Sequence, residues 1–212
     1  QPVLAPGAMA NVFGSGLSPA KASAPGTPLP LTLLGVSATI NGVTAPLYSV
    51  APGQVALQIP YETSAGTAVL GVNNNGQVAS YLMTVAVTAP GFFTTRGDLL
   101  TPSSTASPGQ SMTAYITGEG DVTPFLATGA TPSSSTSVAN LPGPRLPVTV
   151  TVAGTKATIQ FAGIAPGLVG VTQINFTIPK TTALGLQPVV VSLGGIAQSQ
   201  SSIRVIAAAA AK

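Results

Sequence analysis

Four carboxylates are all the acid this chain has for chemistry: Glu62, Asp98, Glu119 and Asp121. With no His and no Cys, it lacks both the usual general base and the thiolate that would serve as nucleophile or metal ligand. Glycoside hydrolysis needs two carboxyl groups converging on one cleft. Only Glu119 and Asp121 are close in sequence, and they sit in a Gly-rich turn, Gly118-Glu119-Gly120-Asp121. Hard cations such as calcium take six or more oxygen ligands, so this pair could contribute to a calcium site but falls short of a full ligand set. The alternative is a solvated turn closing a strand. No catalytic or cofactor-binding residue is expected, no cofactor, and no metal beyond the candidate pair Glu119 and Asp121.

Lysine chemistry fares no better. Lys156 in Gly154-Thr155-Lys156-Ala157 could form an isopeptide cross-link with Asn only if buried beside an acid. Its position just after a hairpin turn predicts an exposed charge. A Ser–Lys dyad with Lys180 has the same weakness, because Lys180 follows Ile178-Pro179 at a strand end. Asn175-Phe176-Thr177 fits a glycosylation sequon but falls within a strand. Phe92 and Phe93 could form an exposed ligand platform. The favoured expectation is that they cover the bottom of the first core and pack a domain junction.

The elements that would position these residues are strands. Apolar and polar residues alternate in Val36 to Asn41, Leu146 to Val152 and Thr172 to Ile178, which places one face on a core and the other in water. Asn41-Gly42, Asn75-Gly76 and Gly194-Gly195 suit two-residue hairpins. No long segment carries a helical period free of Gly or Pro. Many short strands between turns predict an all-β sandwich.

The two halves of the chain also match. Pro6-Gly7 and Ser15-Gly16 answer to Pro108-Gly109 and Thr117-Gly118, 102 residues on. Ile59-Pro60 and Asn75-Gly76 answer to Ile178-Pro179 and Gly194-Gly195, 119 residues on. Duplication with longer loops in the second copy, chiefly between Asp121 and Arg145, explains the change. The expected organisation is a first sandwich over 1–95, a linker over 96–106 and a second sandwich over 107–212.

Composition narrows the function classes. The chain has 212 residues, 24 Gly and 20 Pro, is 45% hydrophobic and only 5% charged, where about 25% is usual. Disorder needs the reverse balance. A surface of Ser, Thr, Asn and Gln repels neighbours weakly and favours self-association. The seven cations are scattered, so the net charge of +3 makes no nucleic-acid groove. No apolar run is long enough to cross a bilayer, and Ala207 to Ala211 reads as a tail or fraying strand end. Gln1 in place of Met is consistent with a removed signal peptide or an excised fragment. Absence of Cys removes a disulfide framework without excluding export.

An ordered set of short motifs resembles a known family. It includes Ala5-Pro6-Gly7, Phe13-Gly14-Ser15-Gly16-Leu17, Ile40-Asn41-Gly42, Ile59-Pro60-Tyr61-Glu62 and Ala89-Pro90-Gly91-Phe92-Phe93. It continues through Thr117-Gly118-Glu119-Gly120, Ala127-Thr128-Gly129, Leu146-Pro147-Val148, Ala165-Pro166-Gly167 and Gly194-Gly195. These resemble the Solibacter-type C-terminal domain family abundant in Acidobacteria. The link from Arg96 to Pro108 is shorter than the family's. The resemblance implies two immunoglobulin-like halves of the TIG/IPT kind at the end of longer exported proteins, with no assigned activity, and hence an extracellular or cell-surface location.

The function expected is therefore a non-catalytic structural or spacer module whose partner is the rest of a parent exported protein. One alternative is a self-assembling subunit of a fibre or sheath, whose partners are copies of itself through open sheet edges. Another is an adhesin for carbohydrate or protein, for which six Phe, four Tyr and no Trp give a poor signal. Nucleic acid and membrane insertion are not expected.

Overall fold

The computed structural model describes residues 2–95, 98–101 and 105–208. The chain is an all-β, immunoglobulin-like fold built as two tandem sandwiches, with one short 3-10 turn at Val138–Asn140 among the described residues. The alternation read from the sequence lands as expected. Val36, Ala38 and Ile40 point into the first core, and Ile174, Phe176 and Ile178 into the second.

In the first sandwich, one sheet runs Val3–Leu4, Gln77–Val85, Gly66–Asn74, Val36–Ile40, Thr32–Leu33, with Val43–Ala45 also on Val36–Ile40. The facing sheet runs Met9–Phe13, Gln54–Gln58, Leu47–Ala51, Ala22–Ser23. Val3–Leu4 pairs in parallel with Gln77–Val85, and the other pairings are antiparallel. Between the sheets lie Leu47, Val55, Leu57, Leu70 and Met83 among others, a core drawn from residues between Ala8 and Val85.

The second sandwich repeats this plan. Thr105–Ala106 pairs in parallel with Ala197–Val205, the counterpart of Val3–Leu4 at an offset of 102. Val148–Val152 stands for Val36–Ile40, each paired with a short strand after a tight turn and with the long strand of the final hairpin. Ser111–Thr117, Thr172–Thr177 and Thr158–Ile164 form the opposing sheet. Its core, including Met112, Ile116, Phe176, Val191 and Ile203, is separate from the first.

The offset between copies grows in two steps. It is 102 at Met9 and Ser111, 112 at Val36 and Val148, and 119 at Gly66 and Gly185. The second step adds to the one made between Asp121 and Arg145. It falls where the turn at Pro52-Gly53 is replaced by a longer loop from Ala165 to Val171.

Within the segment expected to be a linker, Asp98–Leu99 and Thr105–Ala106 are short strands. Gly91–Phe92, placed before it, hydrogen bonds to Ser111–Thr117, and Asp98–Leu99 and Thr105–Ala106 lie on Ala197–Val205. Two-residue strands are too short to show a period, which is why the sequence reads as a connection. Arg96, Gly97 and 102–104 lie outside the described residues, as do 209–212 of the expected tail. Phe92 packs on the second core, not the first.

Candidate functional site

Three motifs far apart in sequence meet where the two sandwiches touch: Pro60-Tyr61-Glu62, Gly118-Glu119-Gly120 and Ala127-Thr128-Gly129. Glu119 points inward and is 1% exposed, so its turn is not solvated. The Tyr61 hydroxyl donates to Glu119 Oε1 at 2.9 Å. Glu119 lies so close to Gly7 that a Cβ there would come within 2.6 Å of Oε1. The Thr172 hydroxyl stands beside the carboxyl, yet it and Glu119 Oε2 are buried without a well-formed hydrogen bond.

Burial pushes the Glu119 carboxyl up to about 7, while hydrogen bonds from its own backbone and from Tyr61 pull the other way without cancelling it. Burial also pushes the Tyr61 hydroxyl up, and the adjacent Glu119 charge and hydrogen bond push in the same direction. Asp121 faces the opposite way. Its side chain is 61% exposed and lies 3.6 Å from Arg145. The candidate calcium pair is thus split across the two sides of the turn. No cluster of three or more potential ligands forms among the described residues.

The arm between Asp121 and Arg145 grips the first sandwich. Gln58, fully buried, accepts the Gly129 N–H on Oε1 at 2.7 Å and donates from Nε2 to Gly7 O at 3.3 Å. Gly129 O accepts the Leu29 N–H at 2.8 Å. Thr128 Oγ1 accepts the Tyr61 N–H at 2.9 Å and donates to Glu62 Oε2 at 2.7 Å. Further along, the Met9 N–H donates to Thr117 Oγ1, which donates to Gly170 O. The two lengthened loops brace each other, because the Gly167 N–H donates to Thr131 Oγ1 at 2.7 Å. A buried amide anchored at one end in its own sandwich, on Gly7 O, and at the other on Gly129 across the interface fixes relative position, since losing either partner would strand a polar group.

Beside this clasp the sandwiches enclose a groove of about 720 Å3, with Tyr48, Asn11 and Gln54 on one side and Phe93, Tyr115 and Leu168 on the other. The expectation for Phe92 and Phe93 therefore divides: Phe92 is core, and Phe93 lines this groove. Lys156 and Lys180 are both exposed, and Asn175 lies on a sheet face, accepting from Thr113 and Gln173. Asp98 accepts from Ser202. The groove is not legible in the sequence, because its aromatics Tyr48, Phe93 and Tyr115 are spread over separate segments with no shared local pattern.

No protein-family model matches the chain, and no curated protein does. Among solved structures, it is similar to SGBP-B of the Bacteroides ovatus mixed-linkage glucan utilization locus, in complex with a mixed-linkage heptasaccharide. That likeness has 11% identity, a TM-score of 0.42, and spans 97% of this chain and 43% of that one. The full extracellular region of Plexin A4 matches at 12% identity and a TM-score of 0.33, over 94% of this chain and 16% of that one. A chimeric titin Z1Z2 tandem matches at 16% and 0.29, over 98% and 92%. The chain thus spans less than half the length of the first two. Scores this low carry nothing about what the chain does. No helix among the described residues is long and apolar enough to cross a membrane, which says nothing of strands.

Proposed function

We propose that this chain is a non-catalytic structural module of an extracellular or cell-surface bacterial protein, in which the paired sandwiches hold neighbouring parts at a fixed separation. The observation that carries this reading is the clasp of Gln58 with Gly7 and Gly129, a fully buried polar link between the two cores. A flexible tandem would leave these groups to water. The residue-by-residue likeness to the Solibacter-type family supports the exported setting, with the rest of a parent protein as partner.

Small-angle scattering with residual dipolar couplings tests the reading. Both sandwiches should share one alignment tensor in the intact chain, and Gln58→Ala should decouple them. Independent tensors in the unmodified chain would overturn it.

A second reading, self-assembly, is favoured by one observation. Residues 77–82 of the strand Gln77–Val85 are all exposed, and Val78, Tyr81 and Leu82 are among them. An exposed apolar strand of this kind is an association surface.

A further inference from the structure

The groove between the sandwiches has a lining of consistent chemistry. Phe93 stands opposite Tyr115 across an antiparallel pair, its N–H donating to Tyr115 O at 2.9 Å, so both rings rise from one face. Tyr48 faces them from the first sandwich and is 52% exposed. Three of the ten aromatic side chains, six Phe and four Tyr, therefore gather at one cleft. Gln54 Nε2 donates to Asn11 Oδ1 at 2.7 Å, which fixes the two amides side by side. Gln54 Oε1, Asn11 Nδ2 and both tyrosine hydroxyls keep their remaining hydrogen-bonding capacity free of any partner among the described residues.

Among the described residues, no charged side chain lines the groove. An anionic or cationic ligand would lose water there and meet no counter-charge. A wholly apolar ligand would strand the free amide acceptor and donors. The lining suits a molecule that is neutral, has apolar faces to lay on rings and carries adjacent hydroxyls to pair with a donor and an acceptor set side by side. A pyranose has all three properties. The volume, about 720 Å3, falls within the range of small-ligand sites and suits a short oligosaccharide. The walls are held by the clasp, so little ordering is required on binding.

We infer that the groove is a binding site for a neutral saccharide, with Tyr48, Phe93 and Tyr115 against the sugar faces and Gln54 and Asn11 on adjacent hydroxyls. This goes beyond the spacer reading and does not depend on it.

The test is an NMR titration of the full chain with cellohexaose, laminarihexaose, xylohexaose and mannohexaose at millimolar concentration. At least one should produce saturable shifts at Tyr115, Leu168 and Gln54. Tyr115→Ala and Gln54→Ala should each weaken binding about tenfold or more with the fold intact by thermal melting. Phe125→Ala, at a ring 75% exposed outside this groove, should leave it unchanged. The proposal is overturned if none of the four shifts the groove signals, or if both groove variants bind as well as the parent. Shifts produced only by hexagalacturonate or by a leucine-rich peptide would overturn it too. Shared alignment of the sandwiches is read separately, so a dry groove would leave the spacer reading standing.

Discussion

Taking the Glu119 carboxylate out of water costs free energy that no cation returns, because Arg145 pairs with Asp121 on the exposed side of the turn. The fold therefore favours the protonated acid. Its value of about 7 lies above the ordinary 4.5, so the folded state holds a proton that the unfolded chain releases. Glu119's contribution to stability is fully present below pH 4.5, falls as pH rises toward 7 and levels off above it. The span is on the order of 3 kcal/mol. Glu119→Gln keeps an acceptor for Tyr61 and removes the titration. Denaturant melts should show the variant more stable than the parent by about 1–3 kcal/mol at pH 8, and little different at pH 4. An unchanged pH profile would mean that the carboxyl is ionised in the junction.

At the scale of elements, the turn after Ser111–Thr117 is shaped by what it touches. Gly118 has φ +78, and a Cβ there would fall 2.1 Å from Ala89 O. Gly154 has the same φ of +78 with open space around it. The pair separates backbone strain from collision. Gly154→Ala should cost about 1–2 kcal/mol, the left-handed penalty alone. Gly118→Ala should cost at least about 2 kcal/mol more, as the connection through Ala89 is forced away. Equal losses in urea melts would refute the close approach.

Strand existence was legible for the same kind of reason that made the junction illegible. Alternation in Thr172 to Ile178 and the Asn41-Gly42 turn are local signals, and both copies repeat them. Glu119 carries no local mark of burial. Its partners Tyr61 and Gly7 are more than 50 residues away, so a Gly-rich turn with two acids reads as a solvated one. Gln58 is hidden likewise, as one polar residue beside an apolar run.

For the molecule as a whole, seven cations and four carboxylates leave little charge to keep copies apart. The exposed apolar side chains of Val78 and Leu82 supply a surface on which copies can meet. Light scattering should show apparent mass rising with concentration. The double variant Val78→Lys with Leu82→Lys should remain monomeric over the same range. A parent chain that stays monomeric throughout would remove assembly through this strand.

The extra length of the second copy bears on the direction of the joint. Of its two insertions, the arm containing Thr128 to Thr131 grips the copy before it, and the loop containing Gly167 to Gly170 braces that arm and lies close against Gly7 and Met9. The first copy has only the short turn Pro52-Gly53 where the second has that loop. The joint therefore has a polarity: it reaches backward along the chain. The two copies have taken opposite roles in it, one as socket and the other as plug.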